Sequence, residues 1–540
     1  VPNTLRISPD KTLRSGISRR TFLTWTGVAS ALAFTPGLIE APAAYPAPMN
    51  HGDHLFTLGV ASGDPLPDAV VLWTRLASAP LAPHGGMTDI PIPVEWELAL
   101  DSSFRRVLKR GIELATPADG HSVHVDVRGL EPASDYFYRF RAAGHISDVG
   151  RTRTAPPTAG TTRALTFAWA SCQSWGDGFF NAYADMAAAA PDVVFHLGDY
   201  VYEKAIPTRG GQRNTTALPQ SAHSEMTSLD DYRERYALYK LDPHLQQAHR
   251  TSPFIVTMDD HEVENNWAAG ISEDSVPVPD FLYRRASAFK AWWENTPVRA
   301  ELRPNGADMR IYRRFTFGDI AQFSVLDTRQ YRSDQVNGDT DGPQNDFTAR
   351  SDRTITGAAQ QQWLLDGLAS STTRWNVLAH QTTIADLART RNGARAVSMD
   401  GWSGYEASRT QILDGARERG VGNLVSIVGD IHRSVVSELK STYTRPATTV
   451  GVELAGTSIS SGGDGADSDE SDKLLKAASP HVKFGNSQRG YVLNRLTHRD
   501  WQAEFRVADS VADPGAGLRR RATVRIPDGR PDIEVDEFRR

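Results

Sequence analysis

Six apolar runs in this chain end on residues that hold metals or anions, and no other feature restricts the fold as much. Residues 165–170 run into Ser171-Cys172-Gln173, and residues 193–197 into Gly198-Asp199-Tyr200-Val201-Tyr202. Residues 254–258 run into Asp259-Asp260-His261-Glu262, and residues 323–326 into Asp327-Thr328-Arg329. Residues 375–379 run into His380-Gln381, and residues 424–428 into Gly429-Asp430-Ile431-His432. Short runs of this kind, alternating with helical stretches, read as the buried strands of an α/β sandwich. One such helical stretch covers 229–239, where Tyr232, Tyr236 and Tyr239 recur at i, i+4 and i+7 as core packing; 358–368 is another. In open α/β sheets ligands bind beyond the carboxyl ends of the strands. A single aspartate after a strand is ordinarily a cap or turn residue. Six endings bearing Cys, Asp, His, Tyr and Arg are expected to converge on one site.

The donor types divide in two. Asp199, Asp260 and Asp430 are hard oxygen ligands suited to calcium, manganese or magnesium, whereas Cys172, Tyr202 and His432 suit a transition metal such as iron or zinc. Cys172 is the only cysteine, so no disulfide within the chain is possible. A lone cysteine is ordinarily a small buried apolar group; the company at the other strand ends makes it an expected ligand. Two metals a few ångströms apart clamp both the attacking and the leaving oxygen of a phosphoester. A serine hydrolase is not expected, because no Gly-x-Ser-x-Gly elbow occurs. A formal net charge of -6 gives none of the basic excess of a nucleic-acid partner.

The termini organise the rest. Arg19-Arg20 precedes an apolar run from Trp25 to Phe34 and the small-x-small site Ala41-Pro42-Ala43. That layout predicts a signal peptide over 1–43 of the twin-arginine type, with export of the folded protein by that machinery. The apolar run is too short to span a bilayer, and no membrane span is expected in the mature protein. A secreted, extracellular enzyme follows, wall association remaining open. Residues 50–156 read as a small fibronectin- or immunoglobulin-like β-sandwich, with Val123, Val125 and Val127 alternating with polar residues and Tyr136 placed as a corner tyrosine. A Pro-rich linker at 154–160 leads to a catalytic domain over 161–510. The Gly/Ser/Asp-rich stretch 460–471 reads as a mobile loop, and 511–540 as a charged tail, frayed from Pro527.

Taken together, Ser171-Cys172-Gln173, Gly198-Asp199-Tyr200-Val201-Tyr202-Glu203, Asp259-Asp260-His261-Glu262-Val263-Glu264-Asn265-Asn266, Leu326-Asp327-Thr328-Arg329-Gln330-Tyr331-Arg332 and Gly429-Asp430-Ile431-His432 resemble the PhoD-type alkaline phosphatase/phosphodiesterase family. Gly59-Val60-Ala61-Ser62-Gly63-Asp64-Pro65 resembles that family's N-terminal domain. The family belongs to the calcineurin-like and purple-acid-phosphatase-like metallophosphoesterases and includes an iron-dependent phospholipase D. The resemblance implies a metallophosphoesterase α/β sandwich and a phosphoester substrate, either a small monoester or diester or a phospholipid headgroup. It implies iron(III) held by Cys172, Asp199, Tyr202 and His432, with Asp199 bridging to calcium, or to manganese or magnesium, at Asp260 and Asp430. His380 is a further implied ligand. His261 is the implied acid toward the leaving oxygen, and Arg329 the implied fork on the non-bridging oxygens.

Overall fold

The computed structural model describes residues 54–209, 211–213, 217–391, 393–467 and 470–538. The signal-peptide reading of 1–43, with its Arg19-Arg20 pair, lies outside them. The first strands are β1 (Val60–Leu66), β2 (Ala69–Arg75), β3 (Ile92–Ala99), β4 (Val107–Ala115), β5 (Ser122–Arg128), β6 (Asp135–Ala142), β7 (His145–Ile146) and β8 (Gly150–Arg153). There follow β9 (Leu165–Ala170), helix α1 (Asn181–Ala189), β10 (Val193–His196), α2 (Leu229–Lys240), α3 (Pro243–Thr251), β11 (Phe254–Val256) and α4 (Val278–Asn295). The second half holds β12 (Arg313–Phe317), β13 (Ala321–Val325), α5 (Gly357–Ala369), β14 (Trp375–Ala379), the hairpin β15 (Arg389–Arg391) and β16 (Ala394–Ala396), and α6 (Glu406–Glu418). It continues with β17 (Leu424–Val428), β18 (Ser434–Lys440), β19 (Thr449–Ala455), α7 (Glu470–Ala478) and β20 (Val482–Asn486). Strands β21 (Gly490–Leu496), β22 (Asp500–Ala508), β23 (Leu518–Pro527) and β24 (Glu534–Glu537) end the chain.

Two sheets lie face to face. The first has the order β24-β23-β22-β21-β9-β10-β11-β1-β2-β5, and the second β12-β13-β14-β17-β19-β18-β20. Their centres are parallel: β9, β10, β11 and β1 in one, β13, β14, β17 and β19 in the other. Alternate residues of each central strand serve different layers. Phe167, Trp169, Phe195 and Ile255 pack between the sheets against Phe323, Val377 and Ile427, with Phe195 stacked on Phe323 at 4.5 Å. Ala168, Ala170, Val194, Phe254 and Val256 face outward onto the helices that carry Tyr183, Tyr232, Tyr236 and Trp292. Helices α5 and α6 cover the far face through Leu364, Leu368, Ile412 and Leu413. Strands buried on both faces must be apolar throughout, which is why they appear in the sequence as unbroken runs.

The N-terminal strands form two sheets, as expected, and Tyr136 makes the corner: its hydroxyl accepts the Glu131 N–H at 2.8 Å. One of these sheets does not end at the boundary. β1, β2 and β5 extend the first catalytic sheet, because β1 lies parallel to β11 with Gly63 opposite Phe254. Gly63 permits that approach, since a Cβ there would stand 2.2 Å from the Pro297 carbonyl oxygen. β3, β4, β6, β7 and β8 form the separate sheet. The expected C-terminal tail over 511–540 is corrected: β23 and β24 close the edge of the first sheet. Ala522, Val524 and Ile526 point into the core, Arg520 and Arg525 face solvent, and buried Arg521 pairs with Asp467 and Glu537, so a half-buried strand looks like a run of charge. Among the described residues no helix is long and apolar enough to cross a membrane.

Candidate metal centre

The carboxyl ends of the central strands deliver their polar residues through strained turns. Cys172, Asp199, Asp430 and His432 all sit at left-handed backbone, with φ of 59°, 52°, 63° and 52°. Each such non-glycine residue costs on the order of 1–3 kcal/mol and persists only where surrounding bonds fix it. Those bonds are present. The Cys172 N–H donates to the Gly198 carbonyl and the Gln173 N–H to the Asp199 carbonyl, both at 3.1 Å. The Glu262 carboxylate accepts the N–H groups of Asp199, Tyr200 and Asp259 at 3.1, 2.6 and 2.8 Å, tying the loops after β10 and β11 together. Burial pushes the Glu262 carboxyl up to about 7 despite those three bonds.

Two donor groups result, and Asp199 belongs to both. In the first, donor atoms of Cys172, Asp199 and His432 lie within 4.8 Å of one another. The Tyr202 hydroxyl stands among them, donating to Asp199 Oδ2 at 3.0 Å and lying 3.2 Å from His432 Nε2. In the second, donor atoms of Asp199, Asp260 and His261 meet the same limit. The buried atoms Asp199 Oδ1 and Asp260 Oδ1 have no hydrogen-bond partner. Burial, with neighbouring negative charge, pushes Cys172, Asp199 and Tyr202 well above their ordinary ranges. Buried acids held close together, with carboxylate oxygens left unpaired, are what cations would satisfy.

His261 is held by a residue that the motif reading passed over. Its Nδ1 lies 2.6 Å from Glu203 Oε2, and Glu203 also accepts the Asn265 N–H at 3.0 Å. Burial opposes a charge on this ring, yet Asp260, Asp199 and Glu203 outweigh it and hold His261 protonated well above its ordinary range. Asp260 is likewise held low against burial, by Arg329 and His261, and its Oδ2 accepts the Asn266 N–H at 2.8 Å.

Three sequence-predicted residues fall outside both donor groups. Arg329 is buried with its fork occupied: Nη1 and Nη2 donate to the two oxygens of Asp400 at 2.8 and 2.9 Å, and Nε to Asp259 at 2.6 Å. It organises carboxylates and presents no open fork, which corrects the expectation of a phosphate clamp. His380 belongs to neither donor group. Its Nε2 lies 3.0 Å from Ser426 Oγ, which donates to Glu453, and burial lowers it to about 3. Asp430 is half-buried and also outside both groups; burial and the charge of Asp400 push its carboxyl up to about 6.

Other contributors come from distant loops. Ser461, in the stretch expected to be a mobile loop, is buried, with its Oγ 2.7 Å from both the Cys172 carbonyl and the Tyr202 hydroxyl. Arg489 donates to the carbonyls of His432 and Gly463, fastening that loop to the turn after β17. Asp400 gathers Arg329, Arg332 at 2.5 Å and Gln335 at 2.8 Å. Glu203, Asp259, Glu262, Asn266 and Arg332 stood inside the quoted motifs, whereas Asp400, Ser461 and Arg489 did not.

The PhoD-like phosphatase family model matches residues 167–505, and that of the PhoD-like phosphatase N-terminal domain matches residues 41–156. Alkaline phosphatase D of Bacillus subtilis (strain 168) is 43% identical over 509 residues, covering 94% of this chain and 87% of that protein. The solved structure of PhoD superposes with a TM-score of 0.86 at 42% identity, over 90% of this chain and 93% of that one. A purple acid phosphatase from yellow lupin (Lupinus luteus) seeds shares the fold, with a TM-score of 0.50 at 12% identity over 83% and 71% of the two chains.

Proposed function

The chain belongs to the PhoD-like phosphatase family and is a phosphoric ester hydrolase, and from that premise we propose that it acts through two cations sharing Asp199. The observation that carries this reading is the double membership of Asp199, with Cys172 and His432 on one side and Asp260 and His261 on the other. Thiolate, imidazole and the Tyr202 oxygen suit iron(III) on the first side. Carboxylates on the second side, with Asp430 nearby, suit calcium, with manganese or magnesium as alternatives. Bound there, the cations would neutralise the phosphoester and lower the pKa of a coordinated water for attack in line with the leaving oxygen.

The chain's own residues do the rest. Asp199 and Asp260 each offer a buried oxygen that no protein group hydrogen-bonds. His261, oriented by Glu203, gives its proton to the leaving alkoxide. Arg329 positions Asp259 and Asp260 and does not touch substrate. His380 is left out of the ligand set. Residues 1–43 direct the folded protein out of the cell by the twin-arginine route, so that Cys172 meets its metal in a reducing compartment before export.

The test is elemental analysis and a visible spectrum of the enzyme, followed by hydrolysis of a nitrophenyl monoester, a nitrophenyl diester and phosphatidylcholine, with and without calcium chelation. Iron, a charge-transfer band altered in Cys172→Ala as the thiolate contribution disappears, and calcium-dependent hydrolysis are expected. An iron-free protein of full activity would sink the reading. Release of the phosphatidylcholine headgroup would add a phospholipase D activity at the same site. Lys in place of Arg19 and Arg20 should keep the protein in the cytoplasm.

A further inference from the structure

Strand β4 pairs with β3 along one side, and no described strand pairs with its other side. Its outward residues are large and apolar: Leu108 is 47% exposed, Ile112 63% and Leu114 57%. Edge strands are ordinarily blunted by proline, by a mid-strand bulge, by shortness or by charged side chains, lysine above all, because a bare row of N–H and C=O groups is a template for another strand; in β4 the charges are instead spaced to match a second copy. β4 runs nine residues without proline, and its only register shift lies at the Val107 end. Lys109 and Glu113 are its remaining charges beside Arg110, and among the described residues neither takes part in an ion pair.

We propose that β4 is the interface of a homodimer, pairing antiparallel with β4 of a second copy about a two-fold axis at Gly111. A two-fold axis makes every contact occur twice and demands a self-complementary strand. Centred on Gly111, the sequence Leu108-Lys109-Arg110-Gly111-Ile112-Glu113-Leu114 places each leucine opposite the other leucine and Lys109 opposite Glu113 of the second copy. Arg110 then faces Ile112, and its charge meets no like charge directly. A centre at Arg110 would oppose the two arginines, and a centre at Ile112 would leave Lys109 opposite Ala115 with both charges unmatched. Opposed charges on facing strands favour a register and like charges disfavour it. The dimer joins the two β4-β3-β6-β7 sheets into one.

Sedimentation velocity of the full chain over about 1–100 µM, a range that spans weak association, should reveal a reversible dimer. Glu113→Lys and Lys109→Glu each place two like-charged pairs in the interface, and each should weaken dimerisation about tenfold. The double variant Lys109→Glu/Glu113→Lys restores opposite charges and should regain the wild-type constant. Phosphoesterase activity should stay unchanged in all three and serves as the check on folding. A monomer throughout the range, equal association in the single variants, or no recovery in the double variant would each overturn the proposal. So would a monomer that dimerises only once residues 1–53 are removed, since that segment would then be the occupant of β4.

Discussion

Removing the charge of Asp400 should both destabilise the protein and loosen the cation proposed at Asp260, although Asp400 belongs to neither donor group. Its Oδ1 accepts Arg329 Nη1, Arg332 Nη1 and Gln335 Nε2, while Oδ2 accepts Arg329 Nη2. In Asp400→Asn the amide oxygen keeps the Oδ1 contacts, but the amide nitrogen confronts a guanidinium donor. One charge-assisted bond is lost, worth about 1.5–3 kcal/mol. Asp400→Ala orphans the whole donor set, and breaking a buried ion pair costs about 3–5 kcal/mol. The order wild type, Asn, Ala in urea midpoint is therefore expected, with about 2 and about 5 kcal/mol lost, against the roughly 5–15 kcal/mol that holds a typical fold. The functional consequence follows from Arg329 Nη2, which already lies 3.7 Å from Asp260 Oδ1. Freed of Asp400, it closes on Asp260 and competes with the cation for that oxygen. Half-saturation by calcium in a phosphodiesterase titration should move to higher concentration. Stabilities of both variants within about 0.5 kcal/mol of wild type, or an unchanged calcium curve, would refute the reasoning.

Among the described residues buried Lys240 has no carboxylate partner; its Nζ lies 4.2 Å above the Trp73 ring and donates to the Tyr200 hydroxyl, and burial lowers its pKa from 10.5 to about 7. Its folded pKa lies below the unfolded one, so its contribution is fully favourable above 10.5 and is lost as pH falls to about 7; Lys240→Met should flatten that slope and, after discounting the cation–π contact, gain about 3 kcal/mol near pH 7 in denaturant melts. Glu203→Gln removes one of the charges that hold His261 protonated, so the alkaline limb of the pH–kcat profile should move to lower pH; an unmoved limb would remove His261 as the acid. Gly198→Ala places a Cβ 2.5 Å from the Asp259 Cβ at a φ of 112°, and loss of metal content with a fall in melting temperature is expected. Ser461→Ala deletes the contact to Tyr202, and the visible band of the iron-loaded protein should shift while the unfolding free energy from urea melts falls by about 1 kcal/mol.

What was legible in the sequence follows from local physics. The runs ending at Ala170, Ala379 and Val428 match the strands because both faces of a sandwiched sheet are dry, so burial is written into consecutive residues. The donor types at their ends were legible for the same reason, since a strand end is where backbone turns outward. Direction was not legible. Arg329 looks alike in sequence whether it grips a phosphate or Asp400, and only the return of the loop at 400 decides that its fork is filled. Ser461 sits in a stretch whose composition suits a mobile loop, and only Arg489 and the packing of that turn fix it beneath Tyr202. The arginine-rich end of the chain reads as a tail until β22 supplies a partner for β23 and a core for Ala522 and Val524. Residue type and periodicity are properties of a segment. Saturation of a hydrogen-bonding group is a property of everything that surrounds it, and that surrounding comes from segments hundreds of residues apart.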